Sequence, residues 1–243
     1  MGLVLLLGRT IGMTTKHYLK GVYRGKVAQR YGMETAIDKV SVEGSVFLSI
    51  DGLEGDQCAD LDHHGGAERA LHQYPLEHYA YWREKYGKAI DWQSPGMGEN
   101  LSSEGMTENT VCLGDRYQWG EAIIEVDQPR SPCFKLNKRW GLEHLSIDMQ
   151  EISRCGWLYR VIQSGFVSVD TPLLLIERVP NAMTLHEVCS IFFGDPLDTK
   201  GLEKLKKQSR LSSSWSSKIE ERLNTKQVES WHFRLLGPDS VAT

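Results

Sequence analysis

The amino-acid sequence predicts a mainly β protein with helices (α+β), a β-barrel core followed by a small C-terminal three-helix domain. Two observations lead there. Short β-type runs separated by Gly, Asp and Pro fill most of the chain up to Pro180, with few helical patterns between them. Beyond Pro180 the texture changes to three short helical stretches, each with Ser, Thr or Asp near its start. With 243 residues, 40% hydrophobic and 25% charged, the chain is long enough to bury a core of its own. The expected division is an N-terminal extension over 1–21, a barrel domain over 22–180 and a helical domain over 181–243.

Residues 1–12 read as a ragged extension before Met13. The apolar run from Leu3 to Leu7 is far below the roughly 20 residues of a membrane helix, and it lacks the basic lead of a secretory signal. From Val22 to Leu53 short alternating runs meet turn residues, and alternation on both sides of Glu43-Gly44 suggests a hairpin. Leu76, Tyr79, Ala80, Arg83 and Tyr86 fall near helical spacing, with Pro75 ahead and Gly87 behind, which predicts a helix over 76–86. Strand-like runs return over 111–113, 116–119, 122–126, 166–169 and 173–179. The C-terminal stretches at 184–193, 202–208 and 213–223 predict the three helices.

Charge and cysteine usage exclude several classes. Lys+Arg number 28 against 32 Asp+Glu, a net charge of −4, so no global basic excess recruits nucleic acid or an anionic membrane and any anion site must be local. Lys200, Lys204, Lys206, Lys207, Arg210 and Lys218 form a mild basic run, but Glu203, Glu220 and Glu221 interrupt it and it reads as a solvated face. The five cysteines are scattered without a C-x-x-C pair, which fits a reducing cytoplasm and no structural zinc. No P-loop, G-x-S-x-G or H-E-x-x-H motif is present, and Gly96-Met97-Gly98 lacks the third glycine of a dinucleotide fingerprint.

Three segments carry candidate chemistry. His63-His64-Gly65-Gly66-Ala67-Glu68-Arg69 sets two glycines beside hydrogen-bond donors, which suits an anion, or equally a tight turn before a helix. The acidic stretch before it, Asp51, Glu54, Asp56, Asp60 and Asp62, misses the EF-hand spacing and reads as a solvated turn. Glu99-Asn100-Leu101 offers an acceptor and an amide, and taken alone reads as a loop. The sharpest segment is Gln128-Pro129-Arg130-Ser131-Pro132-Cys133-Phe134-Lys135-Leu136-Asn137, where two prolines fix the backbone and two cations flank a cysteine. Lowering a thiol pKa by about 2 units, near 2.7 kcal/mol, turns it from mostly thiol to mostly thiolate at neutral pH. Arg130 and Lys135 could supply that shift; the bland alternative is an inert buried thiol.

Together these stretches resemble the MOSC domain proteins, and within them the YiiM-like 6-hydroxylaminopurine resistance family. The matching residues are Gly52-Leu53-Glu54-Gly55-Asp56, His64-Gly65-Gly66 with Arg69-Ala70-Leu71, and Tyr74-Pro75 with His78-Tyr79 and Trp82. Gly98-Glu99-Asn100-Leu101, Gly114-Asp115, the segment around Cys133 and Gly156-Trp157-Leu158-Tyr159 come after them in order, and the C-terminal region from Lys218 to Leu236 extends the match. The resemblance implies a molybdenum-dependent oxidoreductase that reduces N-hydroxylated bases, with Cys133 as thiolate ligand of molybdenum in a Mo-pyranopterin dithiolene cofactor (molybdopterin type). It implies that His64, Gly66, Arg69, Asn100, Arg130, Ser131 and Lys135 hold that cofactor, and that a separate flavin or iron-sulfur reductase donates electrons. A second reading keeps Cys133 reactive but makes it a persulfide carrier for sulfur transfer, since MOSC domains also occur with sulfurase chemistry.

Overall fold

The computed structural model describes residues 15–61 and 64–238. The expected ragged segment over 1–12 lies outside the described residues. In chain order the strands are β1 (Lys16–His17), β2 (Leu19–Gly25), β3 (Ala28–Arg30), β4 (Met33–Thr35), β5 (Lys39–Ser41), β6 (Ser45–Ser49), β7 (Gly52–Leu53), β8 (Leu71–Pro75), β9 (Leu101–Ser103), β10 (Arg116–Trp119), β11 (Ala122–Pro129), β12 (Trp157–Gln163), β13 (Gly165–Ser168) and β14 (Leu173–Glu177). The helices are α1 (Glu77–Tyr86), α2 (Phe134–Trp140), α3 (Leu145–Glu151), α4 (Leu185–Cys189), α5 (Thr199–Lys206), α6 (Ser213–Thr225) and α7 (His232–Leu236).

Nine strands form one sheet in the order β1-β14-β10-β11-β12-β8-β9-β2-β5, with β13-β6-β7 and β3-β4 as separate smaller sheets. Among the described residues no sheet closes, so the expected barrel is corrected to a mixed α/β architecture with an open sheet. Closure requires the first and last strands to pair along their length. Here the end strands are two residues (β1) and three residues (β5) long, and they do not pair with each other. Strand-rich texture predicts how many strands there are, not whether the outer two meet.

The longest strand, β11, pairs with β10 across a tight turn at Gly120, whose φ of 59° is left-handed, and with β12 on its other side. Its register on β12 shifts twice, between Ile123 and Ile124 and between Val126 and Gln128. Such irregularities bend a strand and re-aim the chain beyond it, and the chain beyond β11 is the Cys133 segment. Helix α1 lies where the sequence predicts one. Helices α2 and α3 were not foreseen, because each is only seven residues long and too short to show a period.

The three expected C-terminal helices become four. Thr184 closes a capping box with Glu187 to start α4, which passes into a π-helical turn over Ser190–Gly194. Asp198 and Ser212 cap α5 and α6, and α7 completes the set. Helices α4, α5 and α6 and the π-helical turn share one hydrophobic core with the sheet: Leu48, Leu71, Leu101, Ile124 and Tyr159 pack in the same cluster as Val188, Phe192, Leu205, Trp215 and Ile219. A second, aromatic cluster of Tyr74, Tyr79, Trp82 and Trp92, with Trp140 stacked on Trp92, packs α1 and α2 onto the sheet. No helix among the described residues is long and apolar enough to cross a membrane.

Candidate functional site

A cavity of about 920 Å³ opens between the loops of the sheet and the C-terminal helices. His64, Gly66, Arg69, Asn100, Arg130, Ser131, Cys133 and Lys135, separated by long stretches of chain, all line it. The structure thus brings every candidate residue of the sequence together in one place.

Cys133 ends the loop after β11. Its extended backbone (φ −137°, ψ 165°) precedes the first turn of α2, and Gly141 terminates that helix in the left-handed region at φ 65°. The Arg130 N–H donates to the Gly156 carbonyl at 3.0 Å, tying the loop to the start of β12. Gly156 has φ 69°, and a Cβ there would sit 2.3 Å from the Gln73 carbonyl oxygen, so only glycine fits this junction. From behind, Arg234 of α7 donates to the Pro132 carbonyl at 2.5 Å and to Gln150 at 2.6 Å.

The second wall is the glycine loop. The His64 N–H donates to the Asp60 carbonyl at 2.9 Å, a helical-type turn that puts the two side chains on one side. Gly66 at φ 100° then starts a 3₁₀ turn over Ala67–Arg69. Glu68 accepts from the Ser213 N–H at 3.0 Å and from its hydroxyl at 2.6 Å, docking this turn on the start of α6. Asn100 lines the cavity while holding strands together: its amide donates to Asp56 at 2.7 Å and to the Tyr23 carbonyl at 3.1 Å, and its oxygen accepts from the His72 N–H at 3.0 Å. One acceptor lone pair and no donor remain for anything else.

At the centre, His64 Nε2 lies 3.4 Å from Cys133 Sγ, and His64 Nδ1 lies 3.2 Å from Asp60 Oδ2. Cys133 is 5% exposed. Burial alone would push its thiol pKa up, but the hydrogen bond and charge of His64, the Arg130 guanidinium and the Lys135 backbone N–H outweigh it and bring the pKa down from 9.0 to about 7. About half of the thiol is therefore thiolate at neutral pH, with an imidazole against it and a carboxylate behind the imidazole. That is the order of an activated nucleophile.

Sequence reasoning missed Asp60, Lys218 and Arg234 as parts of this site. Asp60 was hidden in the acidic run, where its four-residue spacing to His64 was the available signal. Lys218 and Arg234 come from α6 and α7; the resemblance extended over this region, but no spacing in the chain says that these helices line the cavity of Cys133.

The MOSC domain model matches residues 60–173. Protein YiiM of Escherichia coli (strain K12) is 41% identical over 222 residues, covering 90% of this chain and 99% of that one. The chain belongs to the YiiM-like MOSC family. The crystal structure of YiiM from Escherichia coli superposes with a TM-score of 0.80 at 37% identity, covering 92% of this chain and 100% of that one. YiiM from Geobacillus stearothermophilus gives a TM-score of 0.71 at 29% identity over 84% of this chain and 97% of that one.

For this YiiM-like chain the expected molybdenum cofactor, and the molybdenum-dependent oxidoreductase built on it, are corrected by the donor set. Among the described residues no group of three or more His, Cys, Asp or Glu side chains is placed to hold a metal ion. Cys133, His64 and Asp60 form a line, not a cage. The imidazole faces the thiol with one nitrogen and the carboxylate with the other, so the three donors do not converge on a common point.

Proposed function

We propose that this protein carries sulfane sulfur as a persulfide on Cys133 and passes it to a nucleophilic acceptor. The observation that carries the reading is the Cys133–His64–Asp60 line inside an accessible cavity. The Cys133 thiolate attacks the outer sulfur of a donor persulfide, R–S–SH, and the donor S–S bond breaks. R–S⁻ leaves with the bonding pair, and Cys133–S–SH results with no net change in oxidation state. An acceptor thiolate then takes the outer sulfur, and Cys133 leaves as the thiolate it began as.

With Nε2 facing Sγ and Nδ1 facing Asp60, His64 can donate an N–H to the thiolate and so stabilise it. Asp60 acts through His64 by fixing the ring. The reading calls for a sulfur donor and an acceptor where the resemblance implied an electron-donating reductase. All five cysteines are free thiols, which suits the reducing cytoplasm in which the reading places the protein.

The test is incubation with a sulfur-labelled donor, desalting, and mass spectrometry of the Cys133 peptide. The expected result is a gain of one sulfur atom at Cys133 that cyanide releases as thiocyanate. Cys133→Ser should carry none. A wild-type protein that retains no labelled sulfur on Cys133 would overturn the reading.

A further inference from the structure

The cavity wall around Cys133 is strongly cationic. Lys39, Arg69, Arg130, Lys135, Lys218 and Arg234 line it, against Asp51, Asp56 and Asp60. Some of these cations are already engaged: Lys39 pairs with Asp56 at 2.5 Å, Lys135 lies 3.6 Å from Asp60, and Arg234 is bonded to Pro132 and Gln150. The other three, Arg69, Arg130 and Lys218, make no ion pair among the described residues. Arg130 Nη1 is buried with no hydrogen-bond partner among the described residues. Among the described residues Arg69 reaches only the Gly65 carbonyl and the Ser214 hydroxyl, both at 3.5 Å. Lys218 makes no ion pair among the described residues, although α6 brings it to the same cavity. A buried guanidinium nitrogen without an acceptor is destabilising, and an anion with several oxygens would supply the acceptor it lacks.

We propose that Arg69, Arg130 and Lys218 form an oxyanion subsite beside Cys133 that seats the charged half of an inorganic sulfane-sulfur donor of the thiosulfate class. The proposal rests on the persulfide reading of Cys133 and names its donor. Burial depresses the Lys218 ammonium pKa; Glu229 opposes this, and the Arg234, Arg222 and Arg69 charges add to it. A bound anion relieves the repulsion among these cations. With thiosulfate the Cys133 thiolate attacks the outer sulfur and the S–S bond breaks. Sulfite leaves with the bonding pair, and Cys133–S–S⁻ remains, so atoms, charge and electrons balance. The subsite lowers the energy of this step by holding the leaving sulfite. It also gives the C-terminal segment over 181–243 a role, since Lys218 comes from there.

Two measurements separate this proposal from the persulfide reading. Calorimetry of sulfite and thiosulfate on Cys133→Ser, which cannot carry persulfide, should show stoichiometric binding at low salt. Lys218→Met in the same background should weaken it at least about tenfold, and Lys218→Arg should restore it. Loading of wild type from thiosulfate and from an uncharged organic persulfide, R–S–SH, read by mass at Cys133, is the second. Oxyanion binding together with loading from thiosulfate upholds the proposal. Absence of oxyanion binding, or binding unchanged in Lys218→Met, overturns the subsite whichever donor loads. Loading from the organic persulfide but not from thiosulfate overturns the donor class while the persulfide reading stands. Oxyanion binding without loading from either donor overturns the persulfide reading and this donor assignment with it. Phosphate binding as tightly as thiosulfate, with no sulfur loaded from thiosulfate, likewise overturns the donor assignment.

Discussion

Replacing His64 by Ala tests the origin of Cys133 reactivity, because it removes the hydrogen bond and the charge that do most to oppose burial. The Cys133 pKa is then expected to return from about 7 to at least its ordinary 9.0. The shift of about 2 units corresponds to about 2.7 kcal/mol. At pH 7 the thiolate fraction falls from about one half to about one in a hundred, a factor of about 50. A thiolate of higher pKa is the better nucleophile, however, with a Brønsted slope of about 0.4–0.5, which returns a factor of about 8. The net expectation is alkylation at Cys133 about sixfold slower in the variant at pH 7, and about eightfold faster at a pH above both pKa values. The two pH–rate curves must therefore cross. Iodoacetamide labelling of the Cys133 peptide, quantified by mass spectrometry from pH 5 to above about 10, measures this directly. Profiles that share one inflection, or a wild-type profile that inflects near 9.0, would refute the assignment of the shift to His64.

The same geometry sets expectations for stability and for the other residues around the site. The native state holds the Cys133 pKa below its unfolded value, so the unfolded chain binds more protons between pH 7 and 9.0 and stability should rise with pH across that window. Urea melts of wild type against Cys133→Ala should diverge toward pH 9.0 and converge below 7. Gly156→Ala places a Cβ 2.3 Å from the Gln73 oxygen at φ 69° and should cost at least about 2 kcal/mol, read as a lower urea midpoint at constant slope. Glu68→Ala removes the cap on Ser213 and the 3.3 Å ion pair to Arg160. It should cost about 1–2 kcal/mol and speed amide exchange in the first turn of α6. Asp60→Asn keeps the shape but removes the charge behind His64. It should move the Cys133 inflection upward by less than His64→Ala does.

What the sequence disclosed and what it withheld divide along a physical line. The Cys133 segment was legible because proline, cation and cysteine are neighbours in the chain, and their influence on one another is local. The glycine loop was legible for the same reason, since Gly66 occupies a backbone conformation that side chains rarely adopt. The barrel was not legible, because alternation reports which residues form strands and says nothing about whether β1 and β5 meet. The metal expectation came from resemblance alone, and the orientation of one imidazole ring between Cys133 and Asp60 is invisible to any spacing rule. Lys218 read as part of a solvated face because a lysine on a short helix usually is one. The docking of α6 on Glu68 and the burial of its Trp215 and Ile219 bring Lys218 to the cavity.

That docking links stability to reactivity. The loop carrying Cys133 is held from the sheet side by the Gly156 carbonyl and from the helical side by Arg234, while Asn137 and Ser146 donate to the Leu235 carbonyl at 2.9 and 2.7 Å. The opposite wall is held by Glu68 on Ser213. Trp215 and Ile219, on the helix that carries Lys218, sit in the same core as Ile124 and Val126 of the strand that leads to Cys133. Loosening α6 would therefore withdraw Lys218 from the cavity and release the 3₁₀ turn that positions Arg69, with every residue from 128 to 137 intact. Reactivity at Cys133 belongs to the interface between sheet loops and helices, and a local motif around the cysteine supplies only one side of it.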